Sequence, residues 1–109
     1  MRRLKNRSEF LRAARGQRVG RSAFSLQAIA SASEEPGIGF TVTKLMGNSP
    51  ERNRIRRRLR AVAKACENSF QSRHDYVLVG RREALSLPFG RMVEDLTTSL
   101  SKIHLKKKS

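Results

Sequence analysis

Residues 47–66 carry their apolar side chains on one narrow stripe at the spacing of an α-helix. The members of this stripe recur at intervals of four, three and four residues and are Ile55, Leu59, Val62 and Cys66. Such a period predicts an amphipathic helix that buries one face. Ser49 is expected to cap its N-terminus, with Pro50 as the first helical residue and Glu51 in the first turn, where a carboxylate suits the helix dipole.

A short helix and strands are predicted before this helix, and two of the strands can be located. Ser8 is expected to cap a helix over residues 8–15, which Gly16 ends. Apolar and polar residues alternate over residues 22–30 and again over 38–43. Alternation with a period of two predicts β-strands that bury one face.

A strand and a helix are predicted after it. Residues 75–80 are apolar on both faces, as in a strand that is covered on both sides. A last helix is predicted over residues 89–103, because its apolar side chains fall at helical spacing. They are Phe89, Val93, Leu96, Leu100 and Ile103.

The whole chain, residues 1–109, is expected to form a single domain. This length is enough to bury one core and too short for two. The predicted elements run roughly αβββαβα, which is typical of an α+β fold with helices packed on a small mixed sheet, an α–β sandwich. The ends of the chain, residues 1–7 and 105–109, are rich in lysine and arginine and are expected to be flexible basic tails.

The charge of the chain indicates a negatively charged partner. Lys and Arg number 24 against 9 Asp and Glu, a formal net charge of +15. Such an excess opposes folding by self-repulsion, so it is best explained by binding to a polyanion, and nucleic acid fits better than a membrane. No apolar run approaches the roughly 18 residues of a membrane-spanning helix. The single cysteine, Cys66, excludes an internal disulfide and is compatible with a cytoplasmic location.

The polar side of the helix after Ser49 is almost entirely basic. No acidic residue occurs between Glu51 and Glu67. A helix face that is merely solvated would mix charges and gain pairs between residues four apart, so a polyanion-binding helix is the better interpretation. Arginine also grips phosphate in a bidentate manner. The basic residues are Arg52, Arg54, Arg56, Arg57, Arg58, Arg60 and Lys64.

No catalytic constellation is recognisable in the sequence. The nine acidic residues are scattered, and His74 and His104 have no second ligand at a metal-binding spacing. There is also no glycine-rich phosphate loop followed by lysine and a hydroxyl residue. The chain alone is therefore not expected to catalyse a reaction or to hold a metal ion.

The segment from Phe40 to Arg60 resembles the signature of the bacterial ribonuclease P protein component. In that family a strand ends in a Ser/Thr-Lys pair, here Thr43-Lys44, and Gly-Asn follows, here Gly47-Asn48. An Arg-Asn-Arg motif, here residues 52–54, then opens a basic helix. The resemblance extends to Arg3–Phe10 and to the strand over 75–79, and so covers nearly the whole chain.

The resemblance implies that the basic helix lies in a left-handed crossover between parallel strands. It further implies that the chain is one monomer per catalytic RNA subunit, which uses Mg²⁺ to remove the 5′ leader from precursor tRNA. The RNA-binding residues would be Arg52, Asn53, Arg54, Arg56, Arg57, Arg60 and Lys64. The cleft for the leader would include Phe10, Phe24, Lys44 and Asn48.

Three positions depart from the family pattern around this cleft. Ala14 and Gln27 stand where aromatic residues are frequent, and Leu45 stands where a second lysine is common. Leader recognition is therefore expected to be weaker or less selective for the base. The alternatives are a structural RNA-binding protein of the ribosomal type, a DNA-binding protein that inserts a helix in a groove, and a stand-alone enzyme. The last two are disfavoured by arginines on every side of the helix and by the scarcity of acids.

Overall fold

The computed structural model describes residues 1–105, so the basic residues 106–108 of the expected C-terminal tail lie outside the described part. Short 3₁₀ turns occur at Lys44–Met46, Glu67–Ser69 and Arg82–Leu85. The helices are α1 (Arg7–Ala14), α2 (Ser49–Ala65) and α3 (Phe89–Leu105). The strands are β1 (Arg2–Arg3), β2 (Gln17–Gly20), β3 (Phe24–Ala30), β4 (Gly37–Thr41) and β5 (His74–Gly80). Apart from the short β1, this order confirms the predicted αβββαβα arrangement.

The strands form one five-stranded mixed sheet in the order β1-β4-β5-β3-β2. β4 lies between β1 and β5 and runs parallel to both. β3 pairs antiparallel with both β5 and β2. Since β4 and β5 are parallel neighbours, the intervening α2 crosses over one face of the sheet, and the mixed α–β sandwich is confirmed.

Alternate residues of the strands serve two separate cores. On β5, Tyr76 and Leu78 pack with α2 and α3, whereas Val77 and Val79 pack on the α1 side. This division follows from the strand period of two, which sends successive side chains to opposite faces. The strand is apolar on both sides, as predicted, because helices cover both faces of the sheet.

The stripe of α2 is buried as the spacing predicted. Ile55, Leu59 and Val62 have no exposed surface, and Cys66 is 4% exposed. Burial of each such side chain contributes about 1.5–3 kcal/mol relative to leaving it in water. These contacts fix the rotation of α2 on the sheet, and therefore decide which of its arginines face outward.

The chain before α1 differs from the flexible arm that was expected for residues 1–7. Arg2 and Arg3 form β1, and Leu4 is only 5% exposed. Arg2 donates to the buried carboxylate of Asp75 and lies 3.3 Å from that of Glu9. A buried carboxylate requires a cationic partner, so Asp75 ties the N-terminus to the sheet.

The cap of α1 also differs from the prediction. Asn6 caps the helix, rather than Ser8. The carboxylate of Glu9 accepts hydrogen bonds from the main-chain N–H groups of Asn6 and Lys5, both at 3.1 Å. These two bonds, with a smaller contribution from Arg2, lower the pKa of Glu9. Asn6 therefore takes the N-cap position, and the Glu9 carboxylate satisfies the main-chain donors there, as in a capping box.

Candidate nucleic-acid interface

The N-cap of the basic helix α2 lies one residue before the predicted cap, Ser49. Asn48 is the N-cap, and its side-chain oxygen accepts the Glu51 N–H at 3.0 Å. The Glu51 carboxylate in turn accepts the Asn48 N–H at 2.9 Å. Ser49 is therefore the first helical residue and Pro50 the second, and the predicted Ser49 cap was wrong. The reciprocal pair satisfies two main-chain donors at the end of the helix.

An arginine at the start of the 3₁₀ turn after β5 stabilises this turn. Arg82 donates to the Met46 carbonyl at 3.1 Å and to the Glu51 carboxylate at 2.8 Å. The hydrogen bond from Arg82, followed by that from Asn48, lowers the pKa of Glu51. Sequence reasoning missed this role of Arg82, because the two partners are separated by 31 residues.

The turn before α2 requires a glycine. Gly47 has φ 143° and ψ −173°, a region that is essentially restricted to glycine. A β-carbon at this position would lie 2.6 Å from Glu51 Oε1 and 2.9 Å from an Arg82 guanidinium nitrogen. Gly47 thus lets the chain approach the Arg82–Glu51 pair closely, and this approach sets the direction in which α2 starts.

The predicted RNA-binding residues form one face of α2, which we call the arginine face. All seven are exposed or half-buried. Two of them are oriented locally: Arg52 donates to the Gly47 carbonyl at 3.2 Å, and Arg56 donates to the Asn53 side chain at 3.0 Å. The arginine face consists of Arg52, Asn53, Arg54, Arg56, Arg57, Arg60 and Lys64.

The cations of this face have no acidic partner in the part of the chain that the structure describes. Among residues 1–105, the ion pairs include none of the arginine-face side chains. A groove of about 840 Å³ runs along the face and is lined by Ser49, Pro50, Asn53, Arg56, Arg57 and Arg60. Unpaired guanidinium groups beside a groove create a positive potential that a phosphate backbone would neutralise.

Arg58 is an exception among the arginines of the helix. It lies three residues after Ile55 and four before Val62, at the margin of the buried stripe. This spacing could have identified Arg58 as a residue that faces the protein and not the solvent. Its guanidinium donates to three main-chain carbonyls, those of Ala84 (2.9 Å), Leu85 (3.1 Å) and Leu87 (2.8 Å). Arg58 therefore holds the segment that leads into α3 and is a structural residue.

A second groove lies between α1 and the sheet. It has a volume of about 390 Å³. Phe10 is half-buried in it and packs directly on β4, since a β-carbon on Gly39 would lie 2.7 Å from the Phe10 ring. Gln27 lies on its sheet side and is 6% exposed. The lining, which we call the α1 groove, is Arg7, Phe10, Leu11, Ala14, Gln27, Phe40, Thr41, Val77 and Val79.

Only one of the four predicted cleft residues lines the α1 groove. Phe10 does, but Phe24 has no exposed surface and packs in the core beneath α2 and α3. Its predicted placement in the cleft was wrong. Phe24 lies two residues before the core residue Leu26 and therefore shares the core face of β3, which the spacing in the sequence already indicated. Lys44 is the first residue of the 3₁₀ turn that connects β4 to α2, Asn48 follows that turn, and both side chains are exposed.

The departures from the family pattern occupy the same region. Ala14 and Gln27 line the α1 groove, so the groove has small and polar walls where aromatic residues are frequent. Leu45 is 89% exposed in the 3₁₀ turn. A large apolar side chain therefore projects into solvent beside Lys44, where a second cation would otherwise extend the positive surface.

The described part of the chain offers neither a cluster of metal ligands nor a helix that could span a membrane. Across residues 1–105, no three His, Cys, Asp or Glu side chains are arranged to hold a metal ion. In the same range, no helix has the length and apolar character needed to cross a membrane.

Solved structures of two bacterial proteins share this fold. The RNase P protein of Thermotoga maritima superposes with a TM-score of 0.79, over 94% of this chain and 98% of that protein, at 20% identity. The RNase P protein of Staphylococcus aureus superposes with a TM-score of 0.77, over 93% of this chain and 94% of that protein, at 22% identity. At this level of identity the similarity establishes the fold.

Sequence comparison establishes the family. The family model described as Ribonuclease P matches residues 1–104. The ribonuclease P protein component of Ruegeria pomeroyi is 41% identical over an alignment of 109 positions, which covers 95% of this chain and 87% of that protein. That of Gluconacetobacter diazotrophicus is 43% identical over 103 residues, spanning 92% and 89%. With a match over nearly its whole length and relatives above 40% identity, the chain belongs to the ribonuclease P protein family.

Proposed function

We propose that this chain is the protein subunit of ribonuclease P, a ribonucleoprotein endonuclease whose active site lies on its RNA subunit. The protein binds this RNA and the 5′ leader of precursor tRNA, and so promotes removal of the leader to give the mature 5′ end. It acts as one monomeric domain per RNA, in the cytoplasm. The observation that carries the proposal is the arginine face of α2, whose cations have no acidic partner among residues 1–105.

The arginine face is the surface for the RNA subunit. Its side chains contact phosphates and release counterions, which supplies affinity that depends steeply on salt. The turn at Gly47 and the Arg82–Glu51 pair hold the first helical turn in place. Arg52 and Asn53 are therefore presented in fixed positions, so less conformational entropy is lost when the RNA binds.

The α1 groove is the surface for the leader. It is open, carries Val77, Val79 and Gln27 on its sheet side, and is lined by two partly exposed aromatic rings, those of Phe10 and Phe40. An unpaired base gains stacking energy on such a ring without regard to its identity. Lys44 lies three residues beyond Thr41 of the groove and would contact the leader phosphates.

Magnesium is assigned to the RNA subunit. The charged groups of the arginine face are guanidinium and ammonium cations, which do not fit a Mg²⁺ site, because this ion takes carboxylate, phosphate and water oxygens. The contribution of the protein is to neutralise phosphates where two RNA molecules meet. We therefore expect the protein to lower the concentration of Mg²⁺ that the RNA subunit needs for cleavage.

A reconstitution assay tests the proposed function. A precursor tRNA with a 5′ extension is incubated at low Mg²⁺ with the protein alone, the RNA subunit of the same organism alone, and both together. Cleavage only in the mixture, with a homogeneous mature 5′ end, is the expected result. Tight RNA binding without stimulation would indicate a structural RNA-binding protein, and cleavage by the protein alone would place an active site on the protein.

Restoring aromatic side chains in the α1 groove is expected to strengthen leader recognition. The double variant Ala14→Phe and Gln27→Tyr adds two rings beside Phe10. Each stacked base is worth ~1–3 kcal/mol, so the preference of the holoenzyme for precursor over mature tRNA should rise about fivefold or more. The two dissociation constants are measured by equilibrium binding with end-labelled RNA.

The control for this variant is Ala32→Phe, which adds a ring at an exposed position outside the groove. It should leave the ratio of the two dissociation constants unchanged. An unchanged ratio in the double variant as well would remove the α1 groove from leader recognition.

A further inference from the structure

A pocket at the edge of the sheet joins the arginine face to the N-terminal strand. It has a volume of about 330 Å³, large enough for a small ligand. It exists because β1 covers only Gly37 and Ile38 of β4, which leaves the side chain of Phe40 uncovered at the edge. The pocket is lined mainly by Arg3, Ile38, Phe40, Arg60, Ala63 and Lys64; we call it the edge pocket.

An aromatic ring and a guanidinium form one wall of the edge pocket. The guanidinium carbon of Arg60 lies 5.9 Å from the centroid of the Phe40 ring, over its face. Phe40 is half-buried and packs against the main core, so the ring is held firmly. Within residues 1–105, no hydrogen bond or ion pair occupies the Arg60 guanidinium. The flat surface formed by the Phe40 ring and the Arg60 guanidinium is suited to stacking on a nucleobase.

The charges around the wall favour a phosphate. Arg3 and Lys64 flank the pocket, and both side chains are exposed. Neither forms an ion pair with any residue from 1 to 105, although Glu67 also borders the pocket. Three cations against one carboxylate leave a positive pocket beside a stacking surface, which matches the two chemical parts of a nucleotide.

The edge pocket continues the groove on α2. Arg60 lines both, so an RNA chain that follows the arginine face reaches the pocket without leaving the surface. Ile38, Phe40 and the α2 residues belong to the side of the sheet opposite α1. The RNA subunit, rather than the leader, is therefore the occupant that this position favours, even though Phe40 also borders one end of the α1 groove.

We propose that the edge pocket binds one unpaired nucleotide of the RNA subunit, with its base stacked on the Phe40–Arg60 pair and its phosphate between Arg3 and Lys64. This proposal rests on the proposed function, since it takes the RNA subunit as the partner of α2. It adds a base-stacking contact to an interface that otherwise consists of phosphate contacts. Because every base has a stacking face, the contact selects an unpaired nucleotide and not a particular base.

Ultraviolet cross-linking tests the proposal directly. The protein is bound to the RNA subunit without precursor tRNA and irradiated at a wavelength that joins stacked aromatic side chains to bases. After digestion, mass spectrometry is expected to find Phe40 joined to a nucleotide of the RNA subunit. The same experiment with precursor tRNA alone should give no adduct at Phe40.

Two variants measure the contribution of the wall. Phe40→Leu keeps apolar packing but removes the ring, and should raise the dissociation constant for the RNA subunit about fivefold or more. Arg60→Lys keeps the charge but removes the planar group, and should weaken binding while leaving the salt dependence unchanged. Phe89→Leu is the matched control, because Phe89 is exposed at the start of α3 and lines neither groove nor the edge pocket. It should bind as the unaltered protein does.

The outcomes separate this proposal from the proposed function. An adduct between Phe40 and the leader only, or unchanged binding in Phe40→Leu and Arg60→Lys, would overturn the edge pocket as a site for the RNA subunit. If the unaltered protein still stimulates cleavage in that case, the proposed function stands. If it neither binds the RNA subunit nor stimulates cleavage, both fail.

Discussion

Replacement of Arg56, Arg57 and Arg60 together by alanine is expected to weaken binding of the RNA subunit by on the order of 10²-fold near 0.1 M salt. The three side chains line the groove on α2 and have no acidic partner among the described residues. Roughly 0.7–0.9 counterions are released per phosphate contact, so each of the three arginines increases the affinity for RNA about five- to eightfold at this salt concentration. Plots of log affinity against log salt concentration should become shallower by about 2–3 units.

A second triple variant separates the arginine face from the charge of the whole protein. Arg18, Arg91 and Lys102 are exposed and lie outside the grooves described above, so their replacement by alanine removes the same charge elsewhere. This variant should change the salt slope by well under one unit. Equal losses in the two variants would mean that the RNA responds only to net charge, and the arginine face would no longer be a binding site.

The helices were predictable because their signals are local. Ile55, Leu59 and Val62 recur at helical spacing and are all buried in the structure. The strand over 75–80 was equally clear, because helices on both faces of the sheet require it to be apolar throughout. In each case the buried residues are numerous enough to set a period that is visible without any tertiary information.

The strands whose residues could not be located from the sequence, β1 and β2, depend on distant partners. β2 has one buried residue, Val19, and so shows no alternation; pairing with β3 holds it in the sheet. β1 consists of two arginines, and its order comes from pairing with β4 and from the contact of Arg2 with Asp75, 73 residues away. Nothing within a window of neighbouring residues indicates either contact.

The site was predictable as a surface but not residue by residue. The absence of acids between Glu51 and Glu67 indicated a polyanion-binding helix. It did not distinguish Arg57, which faces solvent, from Arg58, which donates to the segment before α3. The resemblance placed Phe24 in the cleft. In the structure Phe24 lies on the same face of β3 as Leu26 and Ala28, which pack in the core. Roles of this kind follow from packing, which composition does not encode.

Arg58→Ala is expected to lower the free energy of unfolding by about 2–3 kcal/mol, since hydrogen bonds that involve a charged group contribute ~1.5–3 kcal/mol. The variant leaves three carbonyls of residues 84–87 without their shared donor, and this segment positions the start of α3. The matched control is the neighbouring Arg57→Ala, which should change stability by no more than about 0.5 kcal/mol. Urea denaturation, followed by circular dichroism, measures both.

The effects of these two substitutions on RNA binding should be reversed, with the larger loss in Arg57→Ala. Arg57→Ala is expected to reduce the salt slope for the RNA subunit by about 1, because one phosphate contact is lost. Arg58→Ala, measured at a temperature where it remains folded, should keep the slope of the unaltered protein, since its guanidinium is occupied by carbonyls. A reduced slope in Arg58→Ala, or unchanged stability, would contradict its structural role and place it on the arginine face. The pair thus tests whether the orientation of α2, set by its buried stripe, decides which arginines meet the RNA.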